Sequence, residues 1–427
     1  MTLLLVVIGL FSLVLINVPI AVALGVVAIV GMISSKGMDS IYNAGLTMFD
    51  GATNFPLLAI PLFILAGALM NTTSISRRLI NLTSALIGFV RGGLAMVNVG
   101  VSMFFAEISG SAVADVAAIG SVLIPAMKKR GYKATFAAAV TSSSASIAII
   151  IPPSIAMILY GALADASIVQ LFVAGIIPGL LGGLSMMGLC YWYAIKHDLP
   201  REEAFSLGRL WKAFKEAGWA LLLPVIILGG IFGGLVTATE GAGLAVVAAL
   251  VIGTVIYREL HWEHLHKAMV DGVMQTAVVM LLVATSAVLG LYLTEIQVPQ
   301  SFARGIIGIT DNKYAVLALL NVMLLVLGMF LHGAAAIILI VPIVMPLVHQ
   351  IGVDPIHFGI IMTLNLTVGQ QTPPVASVLV TACSIAKTDI WNTTKVNLPF
   401  IGVLLFVLLL VTYIPAIPMS LVEIFYR

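Results

Sequence analysis

Apolar segments long enough to cross a lipid bilayer follow one another along almost the whole chain. A hydrocarbon core of about 30 Å is spanned by roughly 20 helical residues, and the runs at 134–164, 171–195 and 268–293 all reach that length. Hydrophobic residues make up 61% of the sequence and charged residues only 9%, a composition outside the range of soluble globular domains. We therefore predict an all-α polytopic membrane protein that contacts the lipid bilayer and binds no nucleic acid.

The first half of the sequence recurs in the second half at a constant offset of 221 residues. Four prolines have a proline partner at this offset: Pro125 with Pro346, Pro152 with Pro373, Pro153 with Pro374, and Pro178 with Pro399. An internal repeat of this kind indicates a tandem duplication. The polar stretch at 196–218 separates the two copies, so we place the first repeat at 1–215 and the second at 216–427.

Apart from an amphipathic arm in the first, the two predicted repeats contain the same kinds of element in the same order. The first has scaffold helices within 1–75, an amphipathic arm at 77–91, a hairpin at 94–127, a broken helix at 134–164 and a helix at 171–195. The second has scaffold helices within 219–293, a hairpin at 314–349, a broken helix at 356–382 and a helix at 398–424. Because the hairpins are re-entrant, each repeat crosses the membrane an odd number of times, and the second inserts upside down. The prediction is an inverted-topology repeat of two halves, with about ten spanning helices plus two re-entrant hairpins.

The distribution of basic residues supports this inverted arrangement. If 196–218 is cytoplasmic, then of the 20 lysines and arginines only Lys36, Arg304, Lys313 and Arg427 fall on the outer side. Cytoplasmic loops of membrane proteins are enriched in these residues. We therefore expect both termini outside, the first hairpin entering from the cytoplasm and the second from the outer side.

Each broken helix carries a polar segment that ends in a proline pair. The two segments read SSSASIAIIIPPS (142–154) and NLTVGQQTPPVAS (365–377). Proline removes a backbone donor and clashes with the preceding turn, so each helix must break there. At membrane depth, a non-helical backbone is tolerated only where it is buried in protein or lines a cavity. In inverted-repeat transporters, such breaks bind anionic substrates at half-helix N-termini and sodium at unwound carbonyls, so we expect a sodium-coupled transporter of an anion.

The candidate sodium- and substrate-binding residues come from the two breaks and from the turns of the two hairpins. In the first repeat they are Ser109, Gly110, Ser111, Asp115, Ser143, Ser144, Ser146, Pro152 and Pro153. In the second repeat they are His332, Gly333, Asn365, Thr367, Gly369, Gln370, Gln371, Thr372, Pro373 and Pro374. Besides sodium as the coupling ion we expect no metal, no cofactor and no catalytic residue. The carboxylates of Glu107 and Asp115 are either functional or hydrogen-bonded to hairpin amides.

Five segments together resemble the large membrane subunit of the TRAP (tripartite ATP-independent periplasmic) transporters. They are FPLLAIPLFILAG (55–67), SGSAVADVAAIGSVLIPAMKKRGY (109–132), IIPPSIAMILYG (150–161), TATEGAG (237–243) and TPPVAS (372–377). The resemblance covers essentially the whole chain. It implies an elevator-type sodium symporter, multi-pass in the bacterial inner membrane, that works with a small four-helix membrane subunit and a periplasmic substrate-binding protein. The implied substrate is a small anionic organic acid, such as a four-carbon dicarboxylate, sialic acid or another sugar acid.

The second break departs from the pattern of this family. Where the family commonly reads Gly-x-x-Thr-Pro-Pro-x-Gly with apolar residues between, this chain has Gln370, Gln371 and Ala376. Two extra amides near the cavity favour a polyhydroxylated acid, such as sialic acid, over a four-carbon dicarboxylate.

Two other functions are compatible with the sequence. One is a stand-alone sodium/dicarboxylate symporter of similar inverted-repeat architecture, which needs no binding protein. The other is an intramembrane hydrolase that would use Ser109 or Ser111 as the nucleophile and His332 as the base. We disfavour the hydrolase because its nucleophile and base would lie on hairpins that open to opposite sides of the membrane.

Overall fold

The computed structural model describes residues 2–16, 18–109, 111–199, 201 and 204–426, with side chains described throughout except at 2–4, 7, 11, 15 and 105–109. Within these ranges every extended regular element is a helix. The sequence prediction of an all-α polytopic membrane protein is confirmed. A helix suits these apolar runs because it satisfies its backbone hydrogen bonds within one segment.

Ten helices belong to the first predicted repeat, and the eleventh, Leu207–Phe232, crosses the predicted boundary at 215/216 and is counted here with the second. The first repeat contains α1 (Thr2–Leu15), α2 (Ile20–Lys36), α3 (Ser40–Ala52), α4 (Ala59–Asn71), α5 (Ile75–Ile87), α6 (Gly93–Ser109), α7 (Ala112–Lys129), α8 (Ala134–Ile147), α9 (Ile155–Leu163) and α10 (Ile168–Lys196). The second contains α11 (Leu207–Phe232), α12 (Ala238–Val251), α13 (Trp262–Glu295), α14 (Val298–Ile307), α15 (Lys313–Phe330), α16 (Gly333–Gln350), α17 (Pro355–Gly369), α18 (Ser377–Ala386), α19 (Ile390–Tyr413) and α20 (Ala416–Tyr426). A 3-10 helix at Phe55–Leu58 joins α3 to α4, and a π-helical turn at Ile252–Ile256 extends α12.

Seven helices in the described part of the chain are long and apolar enough to cross a membrane. They are α10, α11, α12 with its π-helical turn, α13, α15, α16 and α19. The pair α3–α4, which bends by 60°, raises the number to eight if it is one span. The predicted number, about ten, differs in two ways: it counted α1, α2 and the two proline-broken helices as spans, and it left out α15 and α16 as limbs of a re-entrant hairpin. In the structure α1, α2 and the four pieces of the broken helices are all shorter than 18 residues, which is the length of the shortest of the seven helices.

The helix boundaries repeat at the 221-residue offset found in the sequence. At this offset α7 coincides with α16 at both ends, and α8 begins at the position equivalent to the start of α17. The amphipathic arm α5 corresponds to α14 within two residues at each end. The sequence prediction assigned no arm to the second repeat, although the apolar and polar residues of 298–307 alternate with helical spacing. The division into two repeats and their opposite insertion stay predictions.

Both predicted hairpins are antiparallel helix pairs. In the second, Lys313 Nζ at the start of α15 donates to the Gly352 carbonyl just beyond the end of α16, at 3.1 Å. In the first, Asn98 near the start of α6 contacts Met127 near the end of α7, with 3.7 Å between Nδ2 and Sδ. Each of these four helices is about 25 Å long at 1.5 Å per residue, so the far ends can meet only if the chain reverses between them.

The structure differs from the predicted boundaries near the C-terminus and in the first scaffold. The predicted helix at 398–424 is two helices, α19 and α20, separated at Ile414 and Pro415. Proline is disfavoured inside a helix because it lacks the N–H that would donate to the preceding turn. In the first scaffold, the predicted run at 54–75 is the second limb of the bent pair α3–α4, which begins at Ser40.

A carboxylate anchors the base of the first arm. Glu259, in the loop before α13, accepts hydrogen bonds from the backbone N–H and the hydroxyl of Ser74, at 2.8 and 2.7 Å, and pairs with Arg78 at 3.2 Å. Arg78 also stacks on Tyr257, 4.0 Å from the ring centroid. The second repeat has a clamp at the corresponding place, where Lys36 pairs with Glu295 at 2.6 Å. Glu295 occupies the position equivalent to Ser74 at the 221-residue offset.

We expect the contribution of Glu259 to stability to depend on pH. Desolvation by burial raises the pKa of Glu259, but the hydrogen bonds from Ser74 and the Arg78 guanidinium outweigh it, so the pKa lies below its usual value. The stabilisation is therefore complete above the unfolded-state pKa of about 4.3 and is lost as pH falls through the lower folded-state pKa. At pH 7, Glu259→Gln should lower the free energy of unfolding in detergent by roughly 1 kcal/mol.

The measurement is a denaturant titration of wild type and variant between pH 7 and pH 3. The difference between them should shrink below about pH 4. Glu263→Gln, which changes an exposed carboxylate four residues away, serves as the control. A difference that stays constant over this pH range would show that the charge of Glu259 does not stabilise the arm.

The backbones of α15 and α17 touch at two glycines. A Cβ built on Gly369 would lie 2.5 Å from the carbonyl carbon of Gly328, and one built on Gly328 would lie 3.2 Å from the Gly369 Cα. A side chain at position 369 would require one of the helices to shift, and one at position 328 would be tightly packed. It brings the C-terminal end of the first limb of the second hairpin against the C-terminal end of α17.

Gly369→Ala should therefore push α15 away from α17. Overpacking of this kind costs about 1–3 kcal/mol, so we expect a clearly lower melting temperature in detergent. Gly402→Ala in α19 is the matched control, because its Cβ would meet no atom within 4 Å. Equal melting temperatures for Gly369→Ala and Gly402→Ala would contradict the close approach.

Candidate functional site

A cavity of about 710 Å³ lies where the two hairpin turns meet the two helix breaks. Its walls are formed by the turn before α7, the turn before α16, both breaks, and the scaffold helices α4 and α13. The lining residues are Ile64, Ser111, Ala112, Val113, Ala114, Ala117, Ile149, Ile155, Ala156, Met274, Gln275, Val278, Val279, His332, Gly333, Ala334, Gln370 and Ser377. The hairpin turns and breaks, which the sequence places far apart, therefore share one cavity.

Four helices begin at this cavity. The first residues of α7 (Ala112), α9 (Ile155), α16 (Gly333) and α18 (Ser377) all contribute to its lining. The N-terminus of a helix carries about half a positive charge and several backbone N–H groups without an intrahelical partner. Four such ends around one cavity make a positively polarised environment that suits an anion.

The lining contains no lysine, arginine, aspartate or glutamate within the described part of the chain. Its polar side chains are those of Ser111, Gln275, His332, Gln370 and Ser377. Each can donate a hydrogen bond, and apolar side chains cover the rest of the surface. An anion in this cavity would therefore be held by backbone amides and neutral donors rather than by an ion pair.

The second hairpin and the second break pack directly on each other. The Val375 amide donates to the Met329 carbonyl at 3.3 Å, and a Cβ built on Gly333 would lie 2.7 Å from Gln370 Nε2. The C-terminal ends of α15 and α17 meet here, at the glycine contact described above. Because helix C-termini present carbonyl oxygens and a negative dipole end, this junction can hold a cation.

Four of the predicted site residues line the cavity: Ser111, His332, Gly333 and Gln370. The side chain of Ser109 and the whole of Gly110 lie outside the described residues. Asp115 is buried one turn into α7, behind the lining. The proline pairs Pro152-Pro153 and Pro373-Pro374 lie within the breaks, as the sequence predicted, and both have cis peptide bonds.

Ser143 and Gln371 lie away from the cavity, in a buried cluster with Asn397 of α19. Ser143 Oγ is 2.7 Å from Gln371 Oε1 and 2.6 Å from Asn397 Oδ1, and Asn397 Nδ2 donates to Gln371 Oε1 at 3.2 Å. A hydroxyl has one proton, so Ser143 can donate to only one of these oxygens at a time. The cluster ties the first broken helix to the second break. Sequence reasoning missed Asn397, a buried amide in an otherwise apolar segment.

Ser144 belongs to a second buried network. It lies 2.9 Å from the Ser102 hydroxyl and 3.2 Å from Asn98 Oδ1, both on α6. The corresponding network in the second repeat joins Asn365 to Asn321 at 2.8 Å, and Asn321 to Thr412 at 3.0 Å. These contacts fix each broken helix to the first limb of the hairpin beside it.

The remaining predicted side chains bond to their own helices. Ser146, Thr367 and Thr372 each donate to the carbonyl four residues earlier, at 2.8 to 2.9 Å. Each hydroxyl oxygen keeps lone pairs that can coordinate a cation. Their assignment to sodium sites stays a prediction. Ala376, where the resembling family commonly has glycine, has a φ of 45° in the left-handed region that favours glycine.

Comparisons with known proteins identify the family of the chain. Residues 7–417 match the family model described as the tripartite ATP-independent periplasmic transporter, DctM component. The isethionate TRAP transporter permease protein DctMQ of Oleidesulfovibrio alaskensis is 43% identical over 96% of this chain, which spans 65% of the length of that relative. The C4-dicarboxylate TRAP transporter large permease protein DctM of Pseudomonas aeruginosa is 37% identical over 90% of both chains.

The fold is similar to a solved structure at low sequence identity. The Alcanivorax borkumensis YdaH transporter, whose crystal structure is described as having an unusual topology, superposes with a TM-score of 0.65 over 90% of both chains at 15% identity. This similarity concerns the fold alone. The family match covers nearly the whole sequence and shows that the chain belongs to the DctM family, the large permease subunits of TRAP transporters.

Proposed function

We propose that this TRAP permease imports a small organic anion together with sodium, and that it receives the anion from a periplasmic binding protein. The observation that carries the proposal is the convergence of four helix N-termini on a cavity whose described lining has no charged side chain. The small four-helix membrane subunit completes the permease, and the complex lies in the bacterial inner membrane. In an elevator-type mechanism, the hairpins and broken helices move together as a transport domain and carry the anion across the membrane against the fixed scaffold helices.

Sodium coupling follows from the charge balance of this cavity. Helix dipoles carry no net charge, so an organic anion brings a full negative charge into a low-dielectric region, which is unfavourable unless a cation binds close by. The C-terminal ends of α15 and α17 offer carbonyl oxygens for that cation beside Gln370, which lines the cavity. Binding of the ion and binding of the anion then support each other.

The positions of Gln370 and Gln371 in the structure weaken the preference for sialic acid as the substrate. The preference for sialic acid relied on two amides near the cavity, but only Gln370 lines it, whereas Gln371 is engaged with Ser143 and Asn397. The relatives described above are named for isethionate and for C4-dicarboxylates. We therefore propose an organic anion in general, with a sugar acid as one member of the class.

The alternative of a stand-alone symporter differs in its need for partners. Uptake by proteoliposomes that contain the chain with the small subunit should require both the binding protein and an inward sodium gradient. Uptake without the binding protein would support the stand-alone symporter, and uptake without sodium would contradict the proposed coupling. The hydrolase is not supported: Ser111 and His332 do share the cavity, but the family is one of permeases.

A carboxylate placed at one of the four helix N-termini should compete with the substrate. Ser377→Asp would put a negative charge at the start of α18, inside the cavity, and should raise the KM for uptake about tenfold or more. Ser377→Ala should change KM much less. Ser167→Asp places the same charge at the N-terminus of α10, outside the cavity lining, and is the control. Equal KM values for Ser377→Asp and Ser167→Asp would contradict the anion site.

The second break should form a cation site of its own. Asn365→Ala and Thr372→Ala each remove one polar side chain near the C-terminus of α17, and should raise the sodium concentration for half-maximal uptake by a factor of a few to tens, or roughly 1–2 kcal/mol. Thr381→Ala in α18 removes a hydroxyl with a similar bond to its own helix and is the control. An unchanged sodium dependence in both variants would remove this site from the proposal.

A further inference from the structure

The cavity has two chemically different walls. The hairpin turns and breaks form one wall, which carries the four helix N-termini and most of the polar side chains. The second wall is formed by scaffold residues: Ile64 of α4 and Met274, Gln275, Val278 and Val279 of α13. Gln275 is the only polar residue in the described lining of this second wall.

Gln275 is exposed to the cavity and has no hydrogen-bond partner among the described residues. Two other polar residues of α13, Thr285 and Ser286, are bonded within the helix, where they donate to the Leu281 and Leu282 carbonyls at 2.9 and 2.7 Å. An exposed carboxamide without a protein partner keeps two N–H donors and a carbonyl acceptor available for other hydrogen bonds. The Gln275 side chain can therefore bond to cavity water or to a bound molecule.

We infer that Gln275 hydrogen-bonds the uncharged end of the substrate and selects for a polar group there. This inference rests on the proposed function. The helix N-termini on the first wall hold the acid group, so the far end of the anion points toward α13. A carboxamide offers two N–H donors and one carbonyl acceptor, which match a hydroxyl or carbonyl group. The substrate class is then an organic acid with a hydroxyl or carbonyl group away from its acid group.

The two repeats differ at this position, since only the second places an amide side chain of its scaffold in the described lining of the cavity. At the 221-residue offset, the counterpart of Gln275 is Asn54, which lies at the 60° bend between α3 and α4 and outside the cavity lining. In the second repeat the same region is one continuous helix, Trp262–Glu295. The straight course of α13 brings position 275 to the cavity, so the duplicated scaffold recognises the substrate asymmetrically.

The test compares acids that differ by one hydroxyl group. Proteoliposomes with the small subunit, the binding protein and a sodium gradient are assayed with isethionate against ethanesulfonate and with 4-hydroxybutyrate against butyrate. Gln275→Met keeps the length of the side chain and removes its hydrogen bonds. We expect it to reduce the preference for the hydroxylated acid, measured as a ratio of kcat/KM values, by about five- to tenfold. Uptake of the acid without the hydroxyl should change little.

The same binding protein is used throughout, so its own selectivity cancels between wild type and variant. Gln300→Met, on the exposed arm α14, is the control and should leave the ratio unchanged. Gln275→Asn, which keeps the amide on a shorter side chain, is measured by the same ratio if Gln275→Met does not accumulate in the membrane.

The outcomes distinguish a failure of the role of Gln275 from a failure of the proposed function. Sodium-driven uptake with an unaltered ratio in the Gln275 variants would overturn the role of Gln275 and leave the proposed function intact. Absence of uptake by wild type for all four acids and for sialic acid would overturn the proposed function, and the role of Gln275 with it.

Discussion

A backbone inside a bilayer has no water to bond with, so every interruption of a helix there must be satisfied by protein or by a polar cavity. This chain interrupts its helices at two proline pairs and reverses at two hairpin turns, and all four places border one cavity. The same interruptions that leave backbone amides unpaired also supply the positive helix ends that an anion requires. The backbone N–H groups left unpaired by the breaks and turns are thus the same groups that bind the anion in the proposed function.

Much of the fold could be predicted from residues whose effect is local. Pro152-Pro153 and Pro373-Pro374 must break a helix wherever they occur, and both breaks lie where the sequence placed them. The antiparallel hairpins followed from apolar runs with small residues at their centres. The end of α19 near Pro415 could also have been predicted, because the proline was visible in the sequence.

The site could be predicted only in part, because successive residues on a helix point about 100° apart. The run of serines at 142–146 therefore cannot face one ligand. Ser143 contacts Gln371 and Asn397, whereas the next residue, Ser144, contacts α6. In the same way Gln370 lines the cavity and its neighbour Gln371 does not. The sequence did not predict Gln275 or Asn397 as site residues. Their surroundings depend on how distant helices pack, and the residues next to them in the sequence carry no information about that.

The two predicted repeats share most of their helix boundaries and the bond from the broken helix to the first hairpin limb, but other polar contacts occur in one of them only. The positions equivalent to Ser143, Gln371 and Asn397 are Leu364, Ile150 and Ile176, so this buried cluster exists once. The first break is buried at its prolines, whereas Pro374 and Val375 of the second are exposed. Helices that recur at a constant offset therefore surround a core that is chemically one-sided.

The ion pairs at the bases of the two arms, Arg78–Glu259 and Lys36–Glu295, lie at corresponding places in the two repeats. The acidic and basic partners are interchanged between them. In one, the arm side supplies the cation Arg78 and the loop supplies Glu259; in the other, the arm side supplies Glu295 and the end of α2 supplies Lys36. Both pairs are partly exposed to solvent, and the strength of such pairs falls as salt screens them over a Debye length of about 10 Å at 0.1 M. The anchoring of each arm is thus set by the ionic strength of the water around it, while the bilayer sets the packing of the helices between them.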